Sequence, residues 1–171
     1  MKLYLIRHGE ATDEKTDPSR PLTEQGRKVV TKTAESLRKA RVEIDQVWHS
    51  TKLRARQTAE IITKTLRLRS SMEKGFLKPN DPVASIADMI NVSQKNIMIV
   101  GHLPFLAKLA SLLMTGVEDR EVVSFKPGKL VTLEKTGPSW TLEWTKKNQR
   151  IGLLLIILTV LLVIGLVVGF W

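Results

Sequence analysis

The sequence contains no cysteine, so it has no disulfide framework, no cysteine-based zinc site and no thiolate nucleophile. Cysteine-dependent phosphatase and protease mechanisms are thereby excluded. Histidine is scarce, with His8, His49 and His102 the only three. A histidine-rich metal centre would need all of them together with carboxylates, so no metal and no cofactor is expected. Charge is missing from one stretch only: residues 151–171 carry none, and all 27 Lys and Arg and all 17 Asp and Glu precede them. The net charge of +10 therefore sits on the first 150 residues. That balance favours anionic partners, and phosphorylated substrates, nucleic acid and an anionic membrane surface all fit it.

The uncharged stretch has its own reading. As a helix, residues 151–171 would be about 31 Å long, close to the hydrocarbon thickness of a bilayer. A transmembrane helix is predicted there, preceded by a basic juxtamembrane linker at 146–150 (Lys146, Lys147, Arg150) and by one domain over 1–145. The basic flank predicts a single-pass membrane protein with the domain in the cytoplasm.

Before the tail, strands and helices alternate. Strands are predicted at 2–6, 45–49 and 97–100. Helices follow from Pro21-Leu22-Thr23-Glu24, from Ser50 as N-cap, near Asn80-Asp81-Pro82, and after Gly101-His102-Leu103-Pro104, where Pro104 suits a first helical position. Past Gly116 the pattern changes to strands at 121–125, 129–134 and 140–144, separated by Pro127-Gly128 and Gly137-Pro138. The expectation is an α/β fold with a mainly parallel central sheet flanked by helices and closed by a hairpin. Trp140 and Trp144 alternate with Leu142 and are assigned to the core, which gives no reason to expect a nucleic-acid partner. His49, inside a strand beside Trp48, is assigned to packing or surface.

Three predicted strands end in residues suited to an oxyanion: Arg7 and His8 after the first, Ser50 and then Arg54 after the second, His102 after the third. In an open α/β sheet the carboxyl ends of the strands line one crevice, so these segments are expected to meet there. The helices opening near Ser50 and Pro104 would turn their N-terminal amides toward the same edge.

The motifs around these residues resemble the histidine phosphatase superfamily, the phosphoglycerate-mutase-like enzymes. Leu5-Ile6-Arg7-His8-Gly9-Glu10-Ala11 resembles the family signature. The segment from Ser19 to Gly26, Ser50-Thr51-Lys52-Leu53-Arg54-Ala55-Arg56-Gln57-Thr58-Ala59, and Val100-Gly101-His102-Leu103-Pro104 resemble its second, third and last blocks, in order. The short chain and the wording Arg-Pro-Leu-Thr and Gly-His-Leu-Pro are most similar to the SixA-type phosphohistidine phosphatases. The resemblance implies a phosphoglycerate-mutase-like fold, His8 as the phosphorylated nucleophile, Arg7, Arg54 and His102 as catalytic partners, and Arg7, Arg20, Arg54 and His102 as phosphate-binding residues.

Many members of the superfamily also carry a glutamate that protonates an alkoxide leaving group. Here the middle region offers only Glu73 and Asp81 as possible acids. An imidazole leaving group needs little such help, which favours phosphohistidine on a protein, a histidine phosphorelay or phosphotransferase component, as substrate. A small phosphomonoester is the second reading. A non-catalytic, membrane-anchored module that binds phosphoprotein or lipid is the third.

Overall fold

The computed structural model describes residues 1–143. Its elements are β1 (Lys2–Arg7), α1 (Glu24–Lys39), β2 (Gln46–Ser50), α2 (Leu53–Leu66), β3 (Met72–Lys74), α3 (Ala84–Val92), β4 (Ile97–Gly101), α4 (Phe105–Thr115), β5 (Leu130–Thr136) and β6 (Ser139–Leu142).

The strands β1 and β4 are apolar on both faces, as strands covered on both sides must be. Side chains alternate across the sheet, so Leu3, Leu5, Ile97 and Ile99 enter one core with α3 and α4. Tyr4, Ile6, Met98 and Val100 enter a second core with α1 and α2. Most of these side chains are fully enclosed, and each such Leu or Ile contributes about 1.5–3 kcal/mol relative to exposure. The result is a three-layer α/β/α sandwich around a six-stranded sheet of order β3-β2-β4-β1-β5-β6.

The sheet is mixed. β3, β2, β4 and β1 run parallel, whereas β5 pairs antiparallel with β1 and β6 antiparallel with β5. The register aligns Arg7 with Gly101 and His49 with Val100, so β1, β2 and β4 end level with one another. His8, Ser50 and His102 are therefore brought to a single edge.

Several expectations are corrected. Residues 121–125 form no strand: Phe125 is buried, Val122 and Val123 pack against the core as an irregular segment, and the Phe125 carbonyl accepts from Arg7 instead of from a neighbouring strand. α2 is not capped by Ser50, which is the last residue of β2; Lys52 holds the cap position without a side-chain bond. α3 begins at Ala84, because the Asp81 carboxylate instead accepts from the Lys78 amide in a local turn. Pro104 sits just before the first residue of α4. β3 is an added parallel edge strand, too short to announce itself by periodicity.

The transmembrane part of the expected fold is corrected as well. Among the described residues no helix is long and apolar enough to cross a membrane. The predicted span at 151–171, the linker at 146–150 and Trp144 lie outside the described residues. The single-pass membrane location and the membrane as a partner rested on that span and are withdrawn with it.

Candidate functional site

The backbone around His8 is held from three directions. Its amide donates to the Gly101 carbonyl at 3.0 Å, extending the β1–β4 ladder past the strand end. The Gly128 amide donates to the carbonyls of Arg7 and His8 at 2.9 and 3.2 Å. The next amide, that of Gly9, donates to the Thr58 hydroxyl of α2 at 3.1 Å. Thr58 in turn donates to the Arg54 carbonyl at 2.7 Å, so its buried hydroxyl is fully engaged.

The His8 ring is fixed by its two nitrogens. Nδ1 lies 2.6 Å from the Gly9 carbonyl, an acceptor only, so Nδ1 carries the proton. Nε2 then presents its lone pair and accepts from Arg54 Nε at 3.1 Å. Across from it stands His102, with ring centroids 4.9 Å apart and planes tilted by 58°.

Both imidazoles are kept neutral. Burial, with the charges of Arg54, Arg7 and Arg20, lowers the His8 pKa to about 4 against the opposing pull of the Gly9 carbonyl. Burial takes His102 to about 3, aided by His8, Arg54, Lys52 and Arg7. Burial and then Arg20 also lower the Arg54 pKa, with Glu14 opposing, and a guanidinium remains charged regardless.

Several polar atoms converge here without protein partners. Arg7 Nε, Ser50 Oγ and both ring nitrogens of His102 are buried and unpaired; Arg7 is otherwise tied by Nη1 to the Phe125 carbonyl at 3.3 Å. An unpaired buried polar atom costs about 1–3 kcal/mol, so a cluster of them marks a place built for a polar ligand. Two guanidiniums, a neutral imidazole lone pair and a second imidazole facing one space can hold a tetrahedral oxyanion against a nitrogen nucleophile.

Arg20 reaches the site by a different route. It stands in the polar loop between β1 and α1, in left-handed conformation (φ 49°), with Nε donating to the Thr12 carbonyl at 3.2 Å and Nη1 4.0 Å from the Glu14 carboxylate. The neck of that loop is closed by an Ala11–Leu22 bridge and by hydrogen bonds from Thr12 to Pro21 and from Thr23 to Glu10. α1 begins against it, capped by Thr23 over the Gly26 amide. At Gly26 a Cβ would stand 2.1 Å from the Glu10 carbonyl oxygen, so only glycine admits this approach.

The structure thus gathers Arg7, His8, Arg54 and His102, with Arg20 close enough to act on His8 and Arg54 electrostatically. Glu73 lies exposed on β3 opposite His49, and Asp81 is engaged in its turn. Neither is among the groups that shift His8 or His102. His49 is buried, its Nδ1 bonded to the Ser50 carbonyl at 3.0 Å, which agrees with packing. Sequence reasoning misses Gln57 and Thr58 as parts of this site. The signal was present: they follow Arg54 by three and four positions and so share its helix face.

Comparison with known proteins gives the same picture. A family model described as the histidine phosphatase superfamily (branch 1) matches residues 3–77. The phosphohistidine phosphatase SixA of Escherichia coli (strain K12) is 32% identical over 150 residues, which cover 84% of this chain and 92% of that protein. This chain belongs to the histidine phosphatase superfamily. It is a phosphatase of the histidine type, and the solved structures similar to it include the protein histidine phosphatase SixA complexed with tungstate. That match has a TM-score of 0.75 at 26% identity and covers 84% of this chain and 95% of the other. The α-ribazole phosphatase of Shigella flexneri shares the superfamily fold, with a TM-score of 0.67 at 18% identity over 84% of this chain and 95% of that one.

Proposed function

We propose that this histidine-type phosphatase removes phosphate from phosphohistidine on a protein, with His8 as nucleophile. The observation that carries the reading is the fixed ring of His8: Nδ1 is held to the Gly9 carbonyl and Nε2 is turned, unprotonated, toward Arg54 and His102. Nε2 attacks phosphorus; the bond from phosphorus to the substrate imidazole breaks as the bond to His8 forms. Water then displaces phosphate from His8 in a second step, so one difficult displacement becomes two easier ones.

Arg7, Arg20 and Arg54 hold the phosphoryl oxygens, and Arg forks keep their charge at any working pH. His102 donates to a phosphoryl oxygen as charge shifts in the transition state. The leaving group decides between substrate classes. An imidazole that already carries a proton departs unaided, whereas an alkoxide needs an acid, and the influences on His8 and His102 are burial, a backbone carbonyl and cationic or imidazole groups rather than a carboxylate. That favours phosphohistidine over a small phosphomonoester. A phosphorelay or phosphotransferase component is the class of protein that supplies such a substrate.

The test compares turnover of a phosphohistidine-bearing protein with a panel of phosphomonoesters, followed by quenching in alkali. Faster turnover of phosphohistidine is expected, with acid-labile phosphate trapped on His8 and none on the His8→Ala protein. Labelling that persists without His8, or preference for the monoesters, overturns the reading.

A further inference from the structure

Arg20 has little of its own to keep it in place. The residues around it in the loop, from Asp13 to Ser19, are mostly exposed; its amide donates to the Asp17 carbonyl of the same loop at 2.9 Å, and its side chain has only a 3.2 Å bond to the Thr12 carbonyl and a 4.0 Å contact to Glu14 among the described residues. It is also pushed outward, because Arg54 lies within its electrostatic reach and like charges repel. The bonds at the neck join residues 10–12 to residues 21–23, and a separate contact fixes that neck to α2.

That tie is a side chain of α2. The Leu22 amide, two residues after Arg20, donates to Gln57 Oε1 at 2.8 Å rather than to any backbone carbonyl. Gln57 stands one helical turn after Arg54, so the bond fixes the loop neck to the same rigid helix that carries the second guanidinium. Its neighbour Thr58 performs the corresponding task for the other wall by holding the Gly9 amide behind His8.

We propose that Gln57 is a positioning residue: through the Leu22 amide it sets the place of Arg20 relative to Arg54, and so the width of the cradle that receives the phosphoryl group. The kinetic part of this inference rests on the phosphatase function proposed above; the binding part does not. Before an anion arrives, the bond opposes the mutual repulsion of the two guanidiniums and keeps the cradle organised.

The experiment is a double-mutant cycle on the full chain, read by calorimetric affinity for inorganic phosphate and by kcat and KM for a phosphohistidine protein. Gln57→Met keeps the length and removes the acceptor. It is expected to weaken phosphate binding and raise KM about tenfold, leave kcat within about twofold, and speed exchange of the Leu22 amide. On an Arg20→Ala background the same change should add nothing to either binding or KM. Equal losses on both backgrounds, or a fall in kcat at unchanged KM, overturn the proposal. If the Met variant does not unfold cooperatively, Gln57→Asn, which withdraws the amide by one methylene, is put through the same cycle and judged by the same outcomes. Non-additive phosphate binding without phosphohistidine turnover would keep Gln57 in this role and remove the substrate assignment instead.

Discussion

His8 stands at the end of a central strand, its amide bonded to Gly101, its carbonyl reached by Gly128 and its ring pinned by Gly9, whereas Arg20 hangs in a polar loop closed at the neck. The two face the same pocket from differently built walls. The strand-end wall inherits its geometry from the sheet register, and a displacement there would have to break ladder bonds between β1 and β4. The loop wall is closed on itself by backbone bonds at its neck, and among the described residues the Gln57 bond is the side-chain contact that joins that neck to α2. Groups that take part in bond making need the first kind of support; a group that gathers the phosphoryl oxygens tolerates the second.

The comparison predicts a graded response. Largest is His102→Ala in the strand-end wall: kcat should fall by about a hundredfold or more, the usual loss for one transition-state donor, while the unfolding transition stays cooperative. Unchanged turnover would place His102 among structural residues. Next is Arg20→Ala in the loop wall, where losing charge-assisted hydrogen bonds worth about 1.5–3 kcal/mol should raise KM about ten- to a hundredfold and spare kcat. A purely catalytic defect there would erase the distinction between the walls.

The smallest effect concerns pH and belongs to the strand-end wall alone. An ordinary imidazole, with a pKa near 6.5, is about nine-tenths protonated at pH 5.5. Burial and the neighbouring arginines bring His8 to about 4, so its lone pair stays free well below that pH and is lost only as pH falls through about 4. Carbethoxylation of His8 by diethyl pyrocarbonate, followed by peptide mass, should therefore run at nearly the same rate at pH 7 and pH 5.5, after correction for reagent hydrolysis. A tenfold drop would mean that burial does not hold the ring neutral.

The strand-end wall was legible in the sequence, and the loop wall only in part. Arg7, His8, Arg54 and His102 were readable because apolar runs mark the central strands and the carboxyl ends of parallel strands converge. Arg20 could be found by motif resemblance, whereas its tie through Gln57 joins positions 22 and 57, a contact no local pattern encodes. The misread strand at 121–125 shows the same gap between pattern and space. Val122, Val123 and Phe125 look like a strand, but their side chains pack on the core outside any ladder, and the Phe125 carbonyl accepts from Arg7 instead. The short β3 was hidden for the converse reason, since its pairing is set by β2 rather than by its own residues, and α3 starts later than its pattern suggests because Asp81 closes a local turn with Lys78 instead of capping the helix.

Gly26 carries a consequence for anyone engineering this enzyme. It occupies the first turn of α1, where alanine would raise intrinsic helix propensity by about 1 kcal/mol. Yet the added methyl would meet the Glu10 carbonyl at 2.1 Å and force apart α1 and the chain that leaves His8. Local and global stability pull in opposite directions at this position, and a search for stabilising substitutions guided by propensity scales would select the very change that dislocates the nucleophile.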